Sequence, residues 1–173
     1  MKRISMGTLI LAIYTLLVFY FGYNTYQWLQ SWALPVHPVL FGLFWFVCAF
    51  GYIIGKFNHG LKYFSIIGSY WFIVMQYGLI LFPLATLVYL IWPSKQTIFI
   101  TGNIVAFIFL IIFIAGTYMA FSPVVRYKTI HINKDSGSLR ELKLVLASDF
   151  HLGLLSNKKH LQRFVNFANE EQP

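Results

Sequence analysis

The chain has 173 residues, 58% of them apolar and only 10% charged, with a formal net charge of +8; an ordinary soluble domain has about 45–50% apolar and about 25% charged residues. A water-soluble fold of this length cannot hide so much apolar surface, which excludes a wholly soluble globular protein. The acidic residues Asp135, Glu141, Asp149, Glu170 and Glu171 all lie in the last quarter, so the sequence divides near residue 122 into an apolar part, 1–122, and a polar tail, 123–173.

A helix that crosses about 30 Å of hydrocarbon at about 1.5 Å per residue needs about 20 apolar residues. Four stretches qualify as spans: Ile4 to Tyr26, Pro38 to Gly55, Tyr63 to Ile91 and Ile98 to Phe121, none with Asp, Glu, Lys or Arg. Lys2 and Arg3 ahead of the first resemble the start of a secretory signal, with Ser31-Trp32-Ala33 as a weak cleavage site. The run is longer than a signal core, however, and it ends in Trp28 and Trp32 as a membrane-interface belt does, so it is expected to stay as a span.

In the second span, Gly51 and Gly55 form a small-xxx-small pair suited to ordinary close helix packing. Cys48, the one cysteine, reads as a small buried apolar group. Pro83 predicts a kink or tilt in the third span. Gln76 and Asn103 are the most polar residues deep in the spans. With no ionisable group there, hydrogen bonding to a neighbouring helix is the better reading than an ion or substrate path. His37 and His59, at span ends, read as interfacial.

Orientation follows from the basic residues. Lys2, Arg3, Lys56, Lys62, Arg126, Lys128, Lys134, Arg140 and Lys143 fall in segments on one side of a four-span chain, against Lys95 alone on the other. By the positive-inside rule this is a multi-pass cell-membrane protein with both termini cytoplasmic. Placed at the ends of apolar runs, these residues fit anionic headgroups of the lipid bilayer, not nucleic acid.

In the tail, Ser122-Pro123 stops the last span, and Val124 to Ile132 predicts a strand. After the polar turn Asn133 to Ser138, Leu142 to Ala147 predicts a second. Apolar residues at Leu161, Phe164, Val165 and Ala168 then predict an amphipathic helix capped by Ser156 or Asn157. Residues two apart on an extended segment share a side, so Asp149 and His151 can converge while Phe150 turns back to the core. A carboxylate and an imidazole suit Mn, Fe or Zn, and Gly153 lets the backbone turn tightly beside them. The plainer alternative has Asp149 capping the turn and His151 as a satisfied partner at its edge. Lys158, Lys159, His160 and Arg163 are better read as a solvated helix face than as a phosphate or lipid site.

The strand ending in Ser148-Asp149-Phe150-His151-Leu152-Gly153, followed by a helix and Gln172-Pro173, resembles the opening of the calcineurin-like metallophosphoesterases, particularly their membrane-attached bacterial members. The resemblance covers about residues 124–173. It implies an α/β sandwich and a two-metal site built from D-x-H and from later motifs, namely GD, GNH with an acidic residue, a lone His and GHxH. Asp149 and His151 match the first motif and would be catalytic metal ligands to one of two divalent ions (Mn, Fe or Zn). The remaining ligands would lie past Pro173.

The expectation is therefore an α-helical membrane domain of four transmembrane helices followed by the truncated start of an α/β metallophosphoesterase sandwich. The expected function is a membrane-anchored, metal-dependent phosphoesterase acting on phosphate mono- or diesters, with lipid or lipid-linked esters favoured by the basic, membrane-held location. Residues 1–173 alone would be inactive. The competing class is a non-enzymatic four-span protein, a small transporter or structural subunit, with a short cytoplasmic tail.

Overall fold

The computed structural model describes residues 5–133, 137, 141–148, 150–153 and 155–173, without the side chain of His59. Its regular elements are α1 (Met6–Ser31), α2 (Pro38–Ile54), a 3-10 turn (His59–Leu61), α3 (Lys62–Ile91), α4 (Lys95–Phe121) and α5 (Lys158–Glu171). Local chemistry sets several of the boundaries. The Ser5 hydroxyl accepts from the Thr8 amide at 3.2 Å and opens α1, and the Ser94 hydroxyl does the same for Thr97 at 3.0 Å ahead of α4. Pro38 starts α2, where its fixed φ suits a first helical turn and its missing donor costs nothing. α3 runs through Pro83 as one helix, as spanning helices tolerate.

Three helices, α1, α3 and α4, are long and apolar enough to cross a membrane at 26, 30 and 27 residues. Their lengths are about 39, 45 and 41 Å at the helical rise. Of the four expected spans, the second is the shorter one: α2 has 17 residues, or about 26 Å.

The expected α/β start is not what forms. Among the described residues there is no strand: 122–133 and 141–148 take neither helix nor strand geometry, and the chain is all-helical. Branched and aromatic residues favour a strand only where a neighbouring strand supplies ladder hydrogen bonds and cross-strand packing. Here the two segments line a groove of about 1140 Å³ together with α5, and neither is assigned as a strand. The polar turn expected at 133–138 falls largely outside the described residues.

The chain forms two compact units, Met1–Ile114 and Ala115–Pro173. In the first, one cluster gathers Val18, Ala49 and Trp71 and another Phe21, Phe82 and Val105, with Trp45 packed against both. The Tyr14 hydroxyl donates to the Ala49 carbonyl at 2.5 Å and the Trp45 indole to the Val18 carbonyl at 2.9 Å, tying α1 to α2. Gly51, Gly55 and Gly68 bring α2 and α3 into backbone contact: a Cβ on Gly51 would stand 2.7 Å from the Phe64 carbonyl oxygen, and one on Gly68 would collide with the Tyr52 backbone. The small-xxx-small pair thus serves helix packing. The outward faces, with Phe19, Leu40, Leu90 and Ile114, are apolar and exposed, as a hydrocarbon surrounding allows.

Among the described residues of the second unit, α5 is the only regular element that is whole. The Asn157 side chain accepts from the Lys159 amide at 3.0 Å, which makes it the cap among the two candidates. Glu171 ties α5 to both irregular segments. It accepts from the Tyr127 hydroxyl and pairs with the Lys143 ammonium at 2.9 Å.

Candidate functional site

Residues 150–153 sit ahead of α5 as a turn. Phe150 is half-buried and meets Phe164 of α5 edge to face, with ring centroids 5.0 Å apart. The Ser156 hydroxyl donates to the Phe150 carbonyl at 2.8 Å, and the Gly153 amide donates to the Ser156 carbonyl, also at 2.8 Å. These contacts fix Phe150, Gly153 and Ser156 against the start of the helix. His151 is exposed, while Phe150 turns to the helix, the division expected of the two side chains. A turn produces it here, not the alternation of a strand.

The unusual backbone position is His151, with φ +41°. This is the left-handed region, where histidine is enriched among non-glycine residues and where strain tends to gather at functional sites. Gly153 was the residue expected to make the tight turn, yet its φ is not positive and a Cβ on it would meet only the His151 carbonyl oxygen, at 3.8 Å. Asp149, the other expected ligand, lies outside the described residues.

Among the described residues no three His, Cys, Asp or Glu side chains come together in a group able to hold a metal ion. Asp149 and His151 are two donors of suitable type for Mn, Fe or Zn, but such ions take four to six. The described residues therefore do not hold a divalent ion by themselves.

The electrostatics of the second unit centre on Glu171. The Tyr127 hydroxyl, foremost, and the Lys143 ammonium hold its carboxyl below the usual glutamate range, while the Tyr127 phenol is pushed up by the hydrogen bond it gives. Lys158, Lys159 and Arg163 are exposed, in keeping with a solvated face; Arg163 also donates to the Phe121 carbonyl. His160 stands edge-on to Phe121 with its Nδ1 enclosed and without a hydrogen-bond partner.

Within the membrane helices, Asn103 gives its amide hydrogen to the Phe99 carbonyl of its own helix at 2.8 Å, and Gln76 is exposed. Sequence reasoning passed over Asn24. Its carboxamide oxygen accepts from the Thr86 hydroxyl of α3 at 3.3 Å, and Thr86 meets the Tyr20 hydroxyl at 2.6 Å. The signal was one more amide in an apolar run, close enough to the span's end to look interfacial. Trp28 was assigned to an interface belt, yet its indole Nε1 is enclosed without a partner and its ring fills the space that Gly102 of α4 leaves open. Comparison with known proteins yields no match, whether to a family model, a curated sequence or a solved structure.

Proposed function

We propose that the protein is a membrane-anchored, metal-dependent phosphoesterase whose first metal-binding residues are Asp149 and His151. What supports this reading is the turn that carries His151. Phe150 and Ser156 clamp it to α5, and His151 is held exposed in a left-handed conformation that few side chains adopt. A carboxylate and an imidazole in D-x-H spacing are hard-to-borderline donors of the kind a hydrolytic metal site uses. The further ligands come from outside the described residues. Phosphate mono- or diesters are the substrates, with lipid or lipid-linked esters favoured because the tail follows membrane helices directly.

The same reading places both termini in the cytoplasm. The basic residues support it: Lys56 and Lys62 flank the α2–α3 connection, each over an aromatic ring, at 4.4 Å from the Tyr52 centroid and 5.2 Å from that of Tyr63, as cations at a membrane interface do. This arrangement requires α2 to cross along with the three longer helices.

The deciding experiment uses protein expressed from its whole gene and a water-soluble phosphodiester with Mn. Asp149→Ala and His151→Ala should each lower turnover by orders of magnitude, since a lost ligand disturbs both the ion and its water. Phe150→Leu should be far milder, because it keeps most of the apolar volume. Undiminished turnover in Asp149→Ala would take the chemistry away from the D-x-H residues, and no chelator-sensitive hydrolysis at all would favour the non-enzymatic membrane protein instead.

A further inference from the structure

Inside the first unit, α1, α2 and α3 approach one another along their backbones, while α4 approaches none of them as closely. The gap beside α4 is a cavity of about 730 Å³ lined by α1, α3 and α4 with Trp45 of α2. That is within the size range of small-ligand pockets, about 300–1,000 Å³. Its lining changes with depth. Toward the end where α3 passes to α4 stand Asn24, Trp28, Thr86 and Thr101; further in, the walls are Phe82, Phe109 and other apolar side chains. No Lys, Arg, Asp, Glu or His lines it.

The polar end offers donors. Trp28 Nε1 is enclosed with its hydrogen unused, and a buried donor left unpaired is costly. Asn24 spends one amide hydrogen on the Tyr20 carbonyl at 2.9 Å and has a second to give. Its oxygen is already engaged by Thr86. An occupant must therefore accept hydrogen bonds at one end and be apolar along its length. It must also be uncharged, because an ion enclosed here would lose its hydration with no opposite charge to replace it.

We propose that this cavity binds a neutral, single-chain lipid: a hydrocarbon chain lying along Phe82 and Phe109, with an uncharged ester or hydroxyl oxygen accepting from Trp28 Nε1–H and the Asn24 amide. The site is built by the membrane helices alone and is independent of the chemistry assigned to the tail. Gly102 is part of the design, since any side chain there would displace the Trp28 ring and move the donor.

The test uses the full chain in phosphatidylcholine nanodiscs with a trace of monoacylglycerol carrying a photoreactive diazirine in its chain. After irradiation, labelled residues are mapped by mass spectrometry. Label should concentrate on Val74, Phe82 and Phe109, should be displaced by excess unlabelled monooleoylglycerol, and should resist lysophosphatidate, which has the same chain and an anionic head. Ala106→Phe, which fills the cavity, should abolish the displaceable label. Trp28→Phe keeps the ring's bulk and removes only the donor, so it should weaken competition several-fold, the weight of one hydrogen bond. Label spread evenly over outward residues such as Ile100, Phe107 and Ile114 would overturn the proposal. So would equal competition by lysophosphatidate, or unchanged competition in Trp28→Phe.

Discussion

Gly51 of α2 lies directly against Phe64 of α3, so close that a Cβ on the glycine would stand 2.7 Å from the Phe64 carbonyl oxygen. The obstacle is backbone, which cannot swing aside as a flexible side chain does. Gly51→Leu and Gly68→Leu should each destabilise the bundle by about 1–3 kcal/mol, the usual cost of overpacking. Gly42 is the control, because a Cβ there meets nothing within 4 Å. Gly42→Ala should be neutral or stabilising by up to about 1 kcal/mol, through helix propensity alone. Unfolding in mixed detergent micelles measures all three, and equal loss in Gly42→Ala would remove the contact as the explanation.

That contact was legible in the sequence, and the reason separates what could be read from what could not. Runs of apolar residues without charge specify helices in hydrocarbon almost unaided, because the backbone must satisfy itself within each segment. The presence of α1, α3 and α4 follows from that, as does the Gly51 and Gly55 spacing, although α1 runs past the expected Tyr26 to Ser31 and α4 starts at Lys95 and not at Ile98. Val124 to Ile132 and Leu142 to Ala147 carry an equally clear strand pattern, but a strand is completed only by a neighbour, and residue pattern does not say whether one is in place. α2 shows the same limit in milder form: its composition is that of a span, and only its length, 17 residues, sets it apart. The turn at His151 was anticipated in its outcome, with Phe150 inward and His151 outward. Its cause is the left-handed φ of His151, which no spacing rule contains. Trp28 and Asn24 were least legible, since an aromatic or an amide near a span's end reads the same whether it meets headgroups or lines a cavity.

The link between Glu171, Tyr127 and Lys143 gives the tail a pH dependence whose sign can be worked out. The Glu171 carboxyl is depressed in the folded tail, so its contribution is complete above the ordinary glutamate value and is lost as pH falls through the lower, folded one. The Tyr127 phenol is raised, so its contribution is complete below the ordinary tyrosine value and is lost as pH climbs through the raised one. Protection of the amides in the last turn of α5, corrected for their intrinsic exchange rates, should be greatest across the neutral range and fall at both extremes. Glu171→Gln should flatten the acid limb. A profile unaffected by Glu171→Gln would show that the link does not hold the helix end.

Topology is open to a direct test in a Cys48→Ser background with single cysteines at Gln30, Phe57 and Thr129. An impermeant thiol reagent applied to intact cells should label Gln30→Cys and leave Phe57→Cys and Thr129→Cys untouched until the membrane is opened. Phe57 is the informative position, being exposed and just past the short α2. Labelling at both Gln30→Cys and Phe57→Cys in intact cells would mean that α2 lies on one side of the membrane. The number of crossings would then be odd, and the two termini would face opposite sides.

The conformation of His151 allows its backbone and its imidazole to be tested apart. At φ +41° a left-handed residue costs roughly 1–2 kcal/mol for an ordinary side chain, with asparagine and histidine the least penalised and branched residues the most. His151→Asn should therefore keep the turn, with the Phe150 and Phe164 rings still in contact and the Ser156 hydroxyl still on the Phe150 carbonyl. His151→Val should loosen it, visible as faster exchange of the Gly153 amide and the first turn of α5. Both variants lack an imidazole, so both should lose hydrolysis of a soluble phosphodiester in protein made from the whole gene. Loss of activity in His151→Val alone would assign His151 to holding the turn and leave the metal to other residues. Loss in both, with the turn intact in His151→Asn, would require the imidazole itself. A turn undisturbed in His151→Val would mean that the left-handed position is not under strain, and that His151 is free to be replaced by residues its backbone should reject.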